Sequence, residues 1–286
     1  MRRLPLLLAL LLAVLGGCRQ EARPPEPKAA AGSCQRVIAL TPSLVETLFA
    51  LGLGDRVAGV GDYSTWPPEV EKKPHLGGLF NPNLEQIVAL KPDLAVLIPS
   101  EGDLAARLKP LGVDVLVVQN ESLADVERSF HTIAERCGVA AAGERLAAEW
   151  REGLKASPLP GPPPRVMLSV GRQAGKLGDL IVAGKGTFFH ELLERLGAKN
   201  AFADAAGLYP QISLEEIVAR RPDVILELRA YAVTPEVAAS LEGDWRELGE
   251  AGNRVEVLAG DYVVIPGPRL PRLYREMREA LVRRGE

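Results

Sequence analysis

Residues 84–93 read LEQIVALKPD, and residues 214–223 read LEEIVARRPD. The two stretches are identical at seven of ten positions, at a constant offset of 130 residues. Each runs into a short apolar segment typical of a β-strand, LAVLI at 94–98 and VIL at 224–226. Each copy therefore predicts one helix, turn and strand of an α/β layer. Two copies so far apart predict two similar lobes and not a solenoid, whose repeat period is roughly 20–50 residues.

The predicted helix of each copy carries signals at both of its ends. Asn83 and Ser213 precede the copies, and a Gln or Glu follows three positions later, which is the pattern of a capping box. A proline ends each helix because it cannot donate a backbone hydrogen bond. Glu85 and Glu215 fall in the first turn, at the edge of the sheet where α/β proteins bind ligands. The alternative is that both glutamates only complement the helix dipole.

The N-terminus has the composition of an export signal. Residues 1–18 combine two arginines, an apolar run and small residues before a cysteine. Leu15–Cys18 is similar to a bacterial lipobox, which implies cleavage before Cys18 and lipidation of that residue; an ordinary signal peptide is the alternative. Residues 19–32 have no large apolar side chain and predict a disordered tether. We expect a lipoprotein in the periplasm or on the outer face of the cell envelope.

The mature chain, about 250 residues long, suits two modest domains. The predicted N-terminal lobe spans 33–138, a connecting helix with a proline-rich boundary spans 139–164, and the C-terminal lobe spans 165–286. Strands alternate with helices in both lobes, which predicts an α/β fold with mostly parallel sheets flanked by helices. Residues 139–157 are rich in helix formers and predict one long helix of ~30 Å that joins the lobes.

The charge of the chain bears on the kind of partner that it binds. The net charge is −3 with both signs intermixed, which argues against nucleic acid as a partner.

Once Cys18 is lipidated, Cys34 and Cys137 remain as an even pair in an oxidising compartment. Cys34 precedes the first predicted strand, and Cys137 ends a helix that returns to the same edge of the sheet. We predict a disulfide there, opposite the ligand edge; two buried free thiols are the alternative.

The sequence contains no recognisable catalytic or metal-binding pattern. It lacks G-x-S-x-G, a P-loop and G-x-G-x-x-G, and its three histidines do not show metal-ligand spacing. We therefore predict a protein that is not an enzyme and has neither a cofactor nor a metal centre.

Seven of the chain's scarce aromatic residues fall at or near the strand-to-helix loops of both predicted lobes. They are Tyr63, Trp66, Phe80, Phe188, Phe189, Tyr209 and Tyr262. Several could line a cleft between the lobes, where apolar walls with a few polar groups suit a bulky, flat, partly hydrophobic ligand. The alternative is that some of them pack within their own lobe.

Several segments together resemble the periplasmic cobalamin-binding proteins. Besides the lipobox, they are RVIALTPSLVETLFALG (36–52), the D-Y-S-x-x-P-P motif (62–68), NLEQIVALKPDL (83–94), GKGTFFHELLERLGAKN (184–200) and YPQISLEEIVARRPDVIL (209–226). These proteins belong to the metal-chelate class of ABC importers, which also carries ferric siderophores and haem. The resemblance covers nearly the whole mature chain. It implies a monomer of two α/β lobes joined by one long helix, with the ligand between them and little closure on binding.

The resemblance also implies roles for single residues. Tyr63 matches an aromatic of the first lobe, Tyr209 an aromatic that often precedes proline in the second, and Asp261-Tyr262 an acidic-aromatic pair. Glu85 and Glu215 match two glutamates that dock on arginines of the membrane permease dimer. Leu79-Phe80 stand where the best-known cobalamin binder has a tryptophan, and the cysteine pair of its second lobe is missing here. The candidate ligand contacts are Ser43, Tyr63, Phe80, Tyr209, Arg229, Asp261 and Tyr262.

The leading hypothesis is a lipid-anchored substrate-binding subunit of a cobalamin-class ABC importer. Haem or a ferric siderophore is the alternative ligand. Tyr63 could serve as an axial ligand to haem iron, and Arg172, Lys185 and Arg229 could form a basic cleft for an anionic siderophore. A surface hydrolase or metal enzyme on an α/β scaffold is the remaining class.

Overall fold

The first sheet contains four parallel strands in the computed structural model, which describes residues 34–173, 175–252 and 254–283. The strands are β1 (Val37–Ala39), β2 (Val57–Val60), β3 (Leu94–Leu97) and β4 (Asp114–Val117), in the spatial order β2-β1-β3-β4. The helices are α1 (Pro42–Ala50), α2 (Leu84–Ala89), α3 (Gly102–Leu108) and α4 (Leu123–Arg136). Because the strands are parallel, all four end at one edge of the sheet, which we call the rim.

The second sheet is mixed. Its strands are β5 (Arg165–Gly171), β6 (Leu180–Val182), β7 (Lys199–Asn200), β8 (Gln211–Ile212), β9 (Val224–Arg229) and β10 (Val255–Ala259). The order is β10-β9-β5-β6-β8, and β7 also pairs with β5. The flanking helices are α6 (Phe188–Arg195), α7 (Leu214–Arg220), α8 (Pro235–Asp244) and α9 (Leu270–Val282). The predicted α/β class is confirmed.

Two strands of the second sheet depart from the parallel arrangement. β6 runs antiparallel to β5, and β8 runs antiparallel to β6. The connection from β5 to β6 covers only residues 172–179. A parallel neighbour would need a crossover of a dozen or more residues, so the chain turns back on itself. β5, β9 and β10 remain parallel and define the rim of the second sheet.

Both copies of the repeat form the predicted helix-turn-strand unit. Asn83 Oδ1 accepts a hydrogen bond from the backbone N–H of Gln86 at 3.1 Å, and Ser213 Oγ accepts one from Glu216 at 3.3 Å. Glu216 also accepts from the Ser213 N–H at 3.0 Å, which completes a capping box in the second copy. The helix starts predicted from the capping pattern are therefore confirmed.

The aspartate that closes each copy ties two strands together at the edge opposite the rim. Asp93 accepts hydrogen bonds from the backbone N–H groups of Gln35 at 2.9 Å and Arg36 at 3.1 Å. Asp223 accepts one from the N–H of Arg165 at 2.7 Å. Each carboxylate thereby holds the start of β1 or β5 beside the start of β3 or β9. We call this arrangement the aspartate clamp.

A pair of helices joins the two sheets. α5 (Ala140–Gly153) is 14 residues long and spans about 21 Å. It is shorter than the helix predicted over 139–157, because Gly153 is a poor helix former and Pro158 follows soon after. α4 packs against α5, and the ring centres of Phe130 and Trp150 lie 5.6 Å apart. The N-terminal half of α4 contributes to the core of the second sheet and its C-terminal part to that of the first.

The predicted disulfide is confirmed. Cys34 and Cys137 are bonded, with their Cα atoms 5.0 Å apart. Arg56, just before β2, donates hydrogen bonds to the carbonyl oxygens of Cys34 at 3.3 Å and Cys137 at 3.0 Å. The bridge lies at the edge opposite the rim, because Cys34 precedes the start of β1.

The signal sequence, the lipobox with Cys18 and the tether over 19–32 lie outside the described residues. Within the described ranges, no helix combines the length and the apolar character needed to cross a membrane. Below, the first lobe means the first sheet with α1–α4, and the second lobe means the second sheet with α6–α9.

Candidate ligand-binding site

Exposed aromatic rings collect on the loops at the rims of the two sheets. Phe80 is 95% exposed, Tyr63 76% and Tyr231 53%, and Trp66 and Tyr209 are exposed to a smaller extent. These five are all of the exposed aromatic residues in the part of the chain that the structure describes. Since large apolar groups are normally buried, their collection at the rim marks a surface suited to a ligand.

The two aromatic loops of the first lobe are tied to each other. The backbone N–H of Asp62 donates to the carbonyl of Gly77 at 3.1 Å, and the N–H of Gly77 donates to the Asp62 carboxylate at 3.0 Å. The ring of Tyr63 covers Gly78 so closely that an added Cβ there would lie 3.2 Å from it. Tyr63 and Phe80 are therefore presented on one connected surface.

Arg269 of the second lobe connects the two lobes at the rim. Its guanidinium group binds Glu46 of α1 at 2.9 and 2.5 Å and Asp261 at 2.8 Å. It also lies near two aromatic rings, 5.3 Å from the centre of the Trp66 ring and 5.5 Å from the centre of the Tyr262 ring. Thr65 Oγ1 of the first lobe donates to the Asp261 carboxylate at 3.1 Å. The lobes therefore meet through charged, hydrogen-bonded side chains.

The carboxylates of this contact have opposite pKa shifts. Burial raises the pKa of Glu46 above its ordinary value, even though the hydrogen bond and charge of Arg269 oppose the shift. Burial also acts to raise the pKa of Asp261, but Arg269 and the Thr65 hydroxyl outweigh it and lower the pKa. Asp261 is thus ionised and already paired, which identifies it as a contact between the lobes.

A second contact between the lobes lies beside Tyr209. The carbonyl of Glu121, at the rim end of β4, accepts a hydrogen bond from the N–H of Phe188 at 2.7 Å. The N–H of Leu123 donates to the carboxylate of Glu191 at 2.6 Å. Burial first, and then the charge and hydrogen bonding of Glu121, raise the pKa of the Tyr209 hydroxyl. Tyr209 therefore faces the first lobe.

The arginines at the rim of the second lobe are occupied by internal partners. Arg172 binds Glu227 at 2.8 Å and Asp244 at 2.9 Å, and its guanidinium group lies 5.2 Å from the centre of the Trp245 ring. Arg229 forms an ion pair with Glu227 and donates to the carbonyl of Arg172 at 2.9 Å. The side chains of Arg172, Arg229 and Glu227 are buried. The charges suggested for a basic cleft are thus neutralised within the lobe, except for the exposed Lys185.

The structure separates the seven candidate ligand contacts into two groups. Tyr63, Phe80 and Tyr209 are exposed, and Asp261 is partly exposed. The buried members are Ser43, Arg229 and Tyr262. The hydroxyl of Tyr262 donates to Glu276, and burial together with this contact raises its pKa to about 12. Of the other aromatics singled out, Phe188 and Phe189 pack within the protein core.

Tyr231 and Arg269 lie at the rim but are not among the residues that the sequence predicted for the site. Tyr231 follows β9 as directly as Tyr63 follows β2, so the rule that selected Tyr63 could have found it. Nothing local marks Arg269, because its partner Glu46 lies 223 residues away in sequence. Among the residues with described positions, no group of three or more potential ligands could hold a metal ion.

A family model described as periplasmic binding protein matches residues 37–241. The chain belongs to the periplasmic binding protein family. The matched range includes both copies of the repeat and all of the exposed aromatic residues. The resemblance to substrate-binding proteins of ABC importers is confirmed at the level of the family.

Individual relatives of this periplasmic binding protein differ in the ligands they are named for. A Bacillus subtilis protein described as an uncharacterized ABC transporter substrate-binding lipoprotein is 31% identical over 258 residues, 86% of this chain and 80% of that protein. A vitamin B12-binding protein of Vibrio parahaemolyticus is 28% identical over 245 residues, 82% and 85% of the two chains. A periplasmic heme-binding protein of Roseiflexus is 25% identical, with a TM-score of 0.70 over 87% and 98% of the chains.

The two repeat helices of this periplasmic binding protein present matching outer faces. Glu85 and Glu215 are both exposed, and the neighbouring Val88 and Val218 are 42% and 47% exposed. Hydrogen bonding to its own backbone N–H and to the Ser213 hydroxyl lowers the pKa of the Glu215 carboxyl. This carboxylate is therefore held ionised at the N-terminal end of its own helix.

Proposed function

We propose that this periplasmic binding protein is the lipid-anchored, extracytoplasmic substrate-binding subunit of an ABC importer that captures cobalamin and delivers it to the permease. The observation that carries the proposal is the collection of exposed aromatic rings on the rim loops. Flat rings on both lobes suit a macrocycle that is held by stacking and apolar contact. A transported ligand requires no catalytic group, so the protein acts without turnover.

Charge favours cobalamin over the alternative ligands. The peripheral side chains of a corrin ring are mostly neutral amides, whereas haem carries two carboxylates and catecholate siderophores carry several negative charges. An anionic ligand would need unpaired cations, since burying an uncompensated charge is costly. Arg172, Arg229 and Arg269 already bind carboxylates of this chain. A neutral chelate needs no such compensation.

Haem or a ferric siderophore is the second candidate. Tyr63 favours haem, because its exposed phenol could bind an iron atom held at the rim. The likeness to a heme-binding periplasmic protein supports the same ligand class.

A ligand screen tests the proposal directly. Purified protein without ligand is titrated by calorimetry and absorbance with cyanocobalamin, cobinamide, haemin and a ferric catecholate siderophore. We expect saturable one-to-one binding of the two corrinoids, with no chemical change in either. Tight binding of haemin or the siderophore, with no binding of the corrinoids, would contradict cobalamin as the ligand and favour the second candidate.

We further propose that Glu85 and Glu215 dock this subunit on a permease dimer. The two residues have equivalent positions and exposures in the two lobes, which suits a partner with two-fold symmetry. Arginines pair with carboxylates in a geometrically selective way, and close charge pairs at protein interfaces couple by about 1.5–7 kcal/mol. Two glutamates at matched sites would thus select both the partner and the orientation.

Uptake measurements separate docking from ligand binding. Glu85→Ala and Glu215→Ala are each expected to retain wild-type ligand affinity and to impair corrinoid uptake by cells, and the double variant should be worse. Glu85→Arg/Glu215→Arg should abolish uptake, while Glu71→Arg, at an exposed glutamate elsewhere in the first lobe, should not. If the folded double-Arg variant supports normal uptake, the two glutamates do not dock on the permease and serve only to cap their helices.

The lipid anchor is tested by fractionation. Cys18→Ala should move the protein from the membrane pellet to the soluble fraction of the cell envelope. A variant that stays in the pellet would argue against lipidation of this cysteine.

A further inference from the structure

We propose that Tyr231 is a further aromatic contact of the second lobe, in addition to Tyr209, and holds the ligand against Tyr63. This inference rests on the proposed function and specifies which side chains grip the chelate. Tyr231 is not one of the seven candidate ligand contacts. The inference also gives Tyr209 a second role, at the junction between the lobes.

Tyr231 has the exposure expected of a ligand contact in the empty protein. It lies two residues after the end of β9, at the rim, and 53% of it is exposed. Its neighbours Ala230 and Ala232 are small and also exposed. No large side chain next to it in sequence shields the ring, although rings of this size bury about 150–250 Å² when they are covered. A ligand seated on the ring would supply that cover.

The loop of Tyr231 lies close to the aromatic surface of the first lobe. The carbonyl of Arg229 accepts a hydrogen bond from the N–H of Gly260 at 2.9 Å, so this loop runs beside the one that carries Asp261. Asp261 in turn accepts a hydrogen bond from Thr65 at 3.1 Å. Thr65 is two residues from Tyr63. Two hydrogen bonds therefore link the backbone below Tyr231 to the loop of Tyr63.

The base of this loop is fixed in place. Arg229 is buried, forms an ion pair with Glu227 and donates to the carbonyl of Arg172 at 2.9 Å. These contacts join the rim ends of β9 and β5 directly beneath Tyr231. A ring on a fixed base loses little freedom when it binds, which favours affinity. Arg229 is therefore a positioning residue for the Tyr231 loop.

Tyr209 is placed differently from Tyr231. Its ring is less exposed, and the charge and hydrogen bonding of Glu121 in the first lobe act on its hydroxyl. Part of this side chain is thus already engaged where the lobes meet. Tyr63 and Tyr231 have larger free faces and suit a flat chelate whose edge lies between the lobes.

Substitutions at Tyr231 test the inference, with cyanocobalamin as the probe in calorimetric titrations. Tyr231→Ala should raise the dissociation constant at least fivefold, and Tyr231→Phe should stay within twofold of wild type because stacking needs only the ring. Val237→Ala is the matched control, since Val237 is an exposed apolar residue on the adjacent helix α8. All three variants should unfold thermally at the wild-type temperature, because the exposed side chains carry little of the core.

The outcomes distinguish this inference from the proposed function. If wild-type protein binds cyanocobalamin and Tyr231→Ala binds it equally well, Tyr231 is not a contact and the proposed function stands. If wild-type protein binds only haemin or a siderophore, the same variants are titrated with that chelate, and the fivefold loss is expected there. Wild-type protein that binds none of these chelates would overturn both proposals.

Discussion

Tyr63 and Tyr209 stand on opposite lobes, and their substitution gives the first test at the scale of single residues. Tyr63→Ala and Tyr209→Ala should each weaken cobalamin binding tenfold or more, equivalent to about 1.4 kcal/mol. The loss combines the stacking energy of an aromatic contact with the apolar area that the ring no longer buries. Calorimetry measures it, with the Phe variants as controls for the ring. Wild-type affinity in both Ala variants would rule out this aromatic site.

Glu101 gives a prediction about pH. It is buried at the rim end of β3, and burial raises its pKa, although the Ile98 N–H and the Thr41 hydroxyl partly offset the shift. A carboxyl whose pKa is higher in the folded than in the unfolded protein binds more protons when folded. Its contribution to stability is therefore full below the ordinary value of 4.5 and is lost as pH rises through the raised pKa.

Glu101→Gln should remove this loss, because glutamine does not titrate. Its melting temperature, relative to that of wild type, should rise between pH 4 and pH 8. Glu71→Gln, at an exposed position, should follow the wild-type curve. Parallel curves for Glu101→Gln and wild type across this pH range would contradict the assigned shift.

Single residues also show why only part of the site was predictable from sequence. Tyr63, Phe80 and Tyr209 could be selected as candidates because their positions near strand ends and helix starts can be read locally, and the structure exposes all three. The burial of Tyr262 and Arg229 was not predictable, because it depends on Glu276 and Glu227 and on how side chains pack in the folded lobe. The pairing of Arg269 with Glu46 joins opposite ends of the chain, and no local pattern carries that information.

The aspartate clamp leads to a prediction at the scale of secondary-structure elements. Asp93→Ala and Asp223→Ala should each lower the free energy of unfolding by about 1 to 3 kcal/mol, because both carboxylates accept hydrogen bonds from backbone N–H groups. The loss should be larger for Asp93→Ala, because Asp93 accepts backbone hydrogen bonds from two residues and Asp223 accepts one from a single residue. Urea unfolding measures the loss, with Asp55→Ala as the exposed control. If all three variants are equally stable, the aspartate clamp does not stabilise the fold.

Element types were predictable where the local sequence fixes them. The capping residues and prolines of the repeat located α2 and α7, and the apolar runs after them located β3 and β9. The direction of β6 was not predictable from composition, because it follows from the short connection after β5. α5 was predicted too long, because helix formers continue past Gly153 although the helix ends there.

At the scale of the whole molecule, three features oppose large movements of the lobes. They are joined by the packed pair α4 and α5, by the contacts of Arg269, and by the contacts around Glu121. A folded chain of this size has a radius of gyration of about 18 Å. We expect solution scattering of empty and loaded protein to superimpose closely. A decrease of several ångströms in the radius of gyration on loading would contradict this.

The contacts of Arg269 between the lobes have a consequence for how the importer would work. A protein whose shape does not change on loading offers the transporter the same docking surface whether it is full or empty. Empty molecules would then occupy the transporter as readily as full ones and act as competitive inhibitors of uptake. The rate of import should therefore depend on the ratio of loaded to empty protein, and an excess of empty protein should slow it.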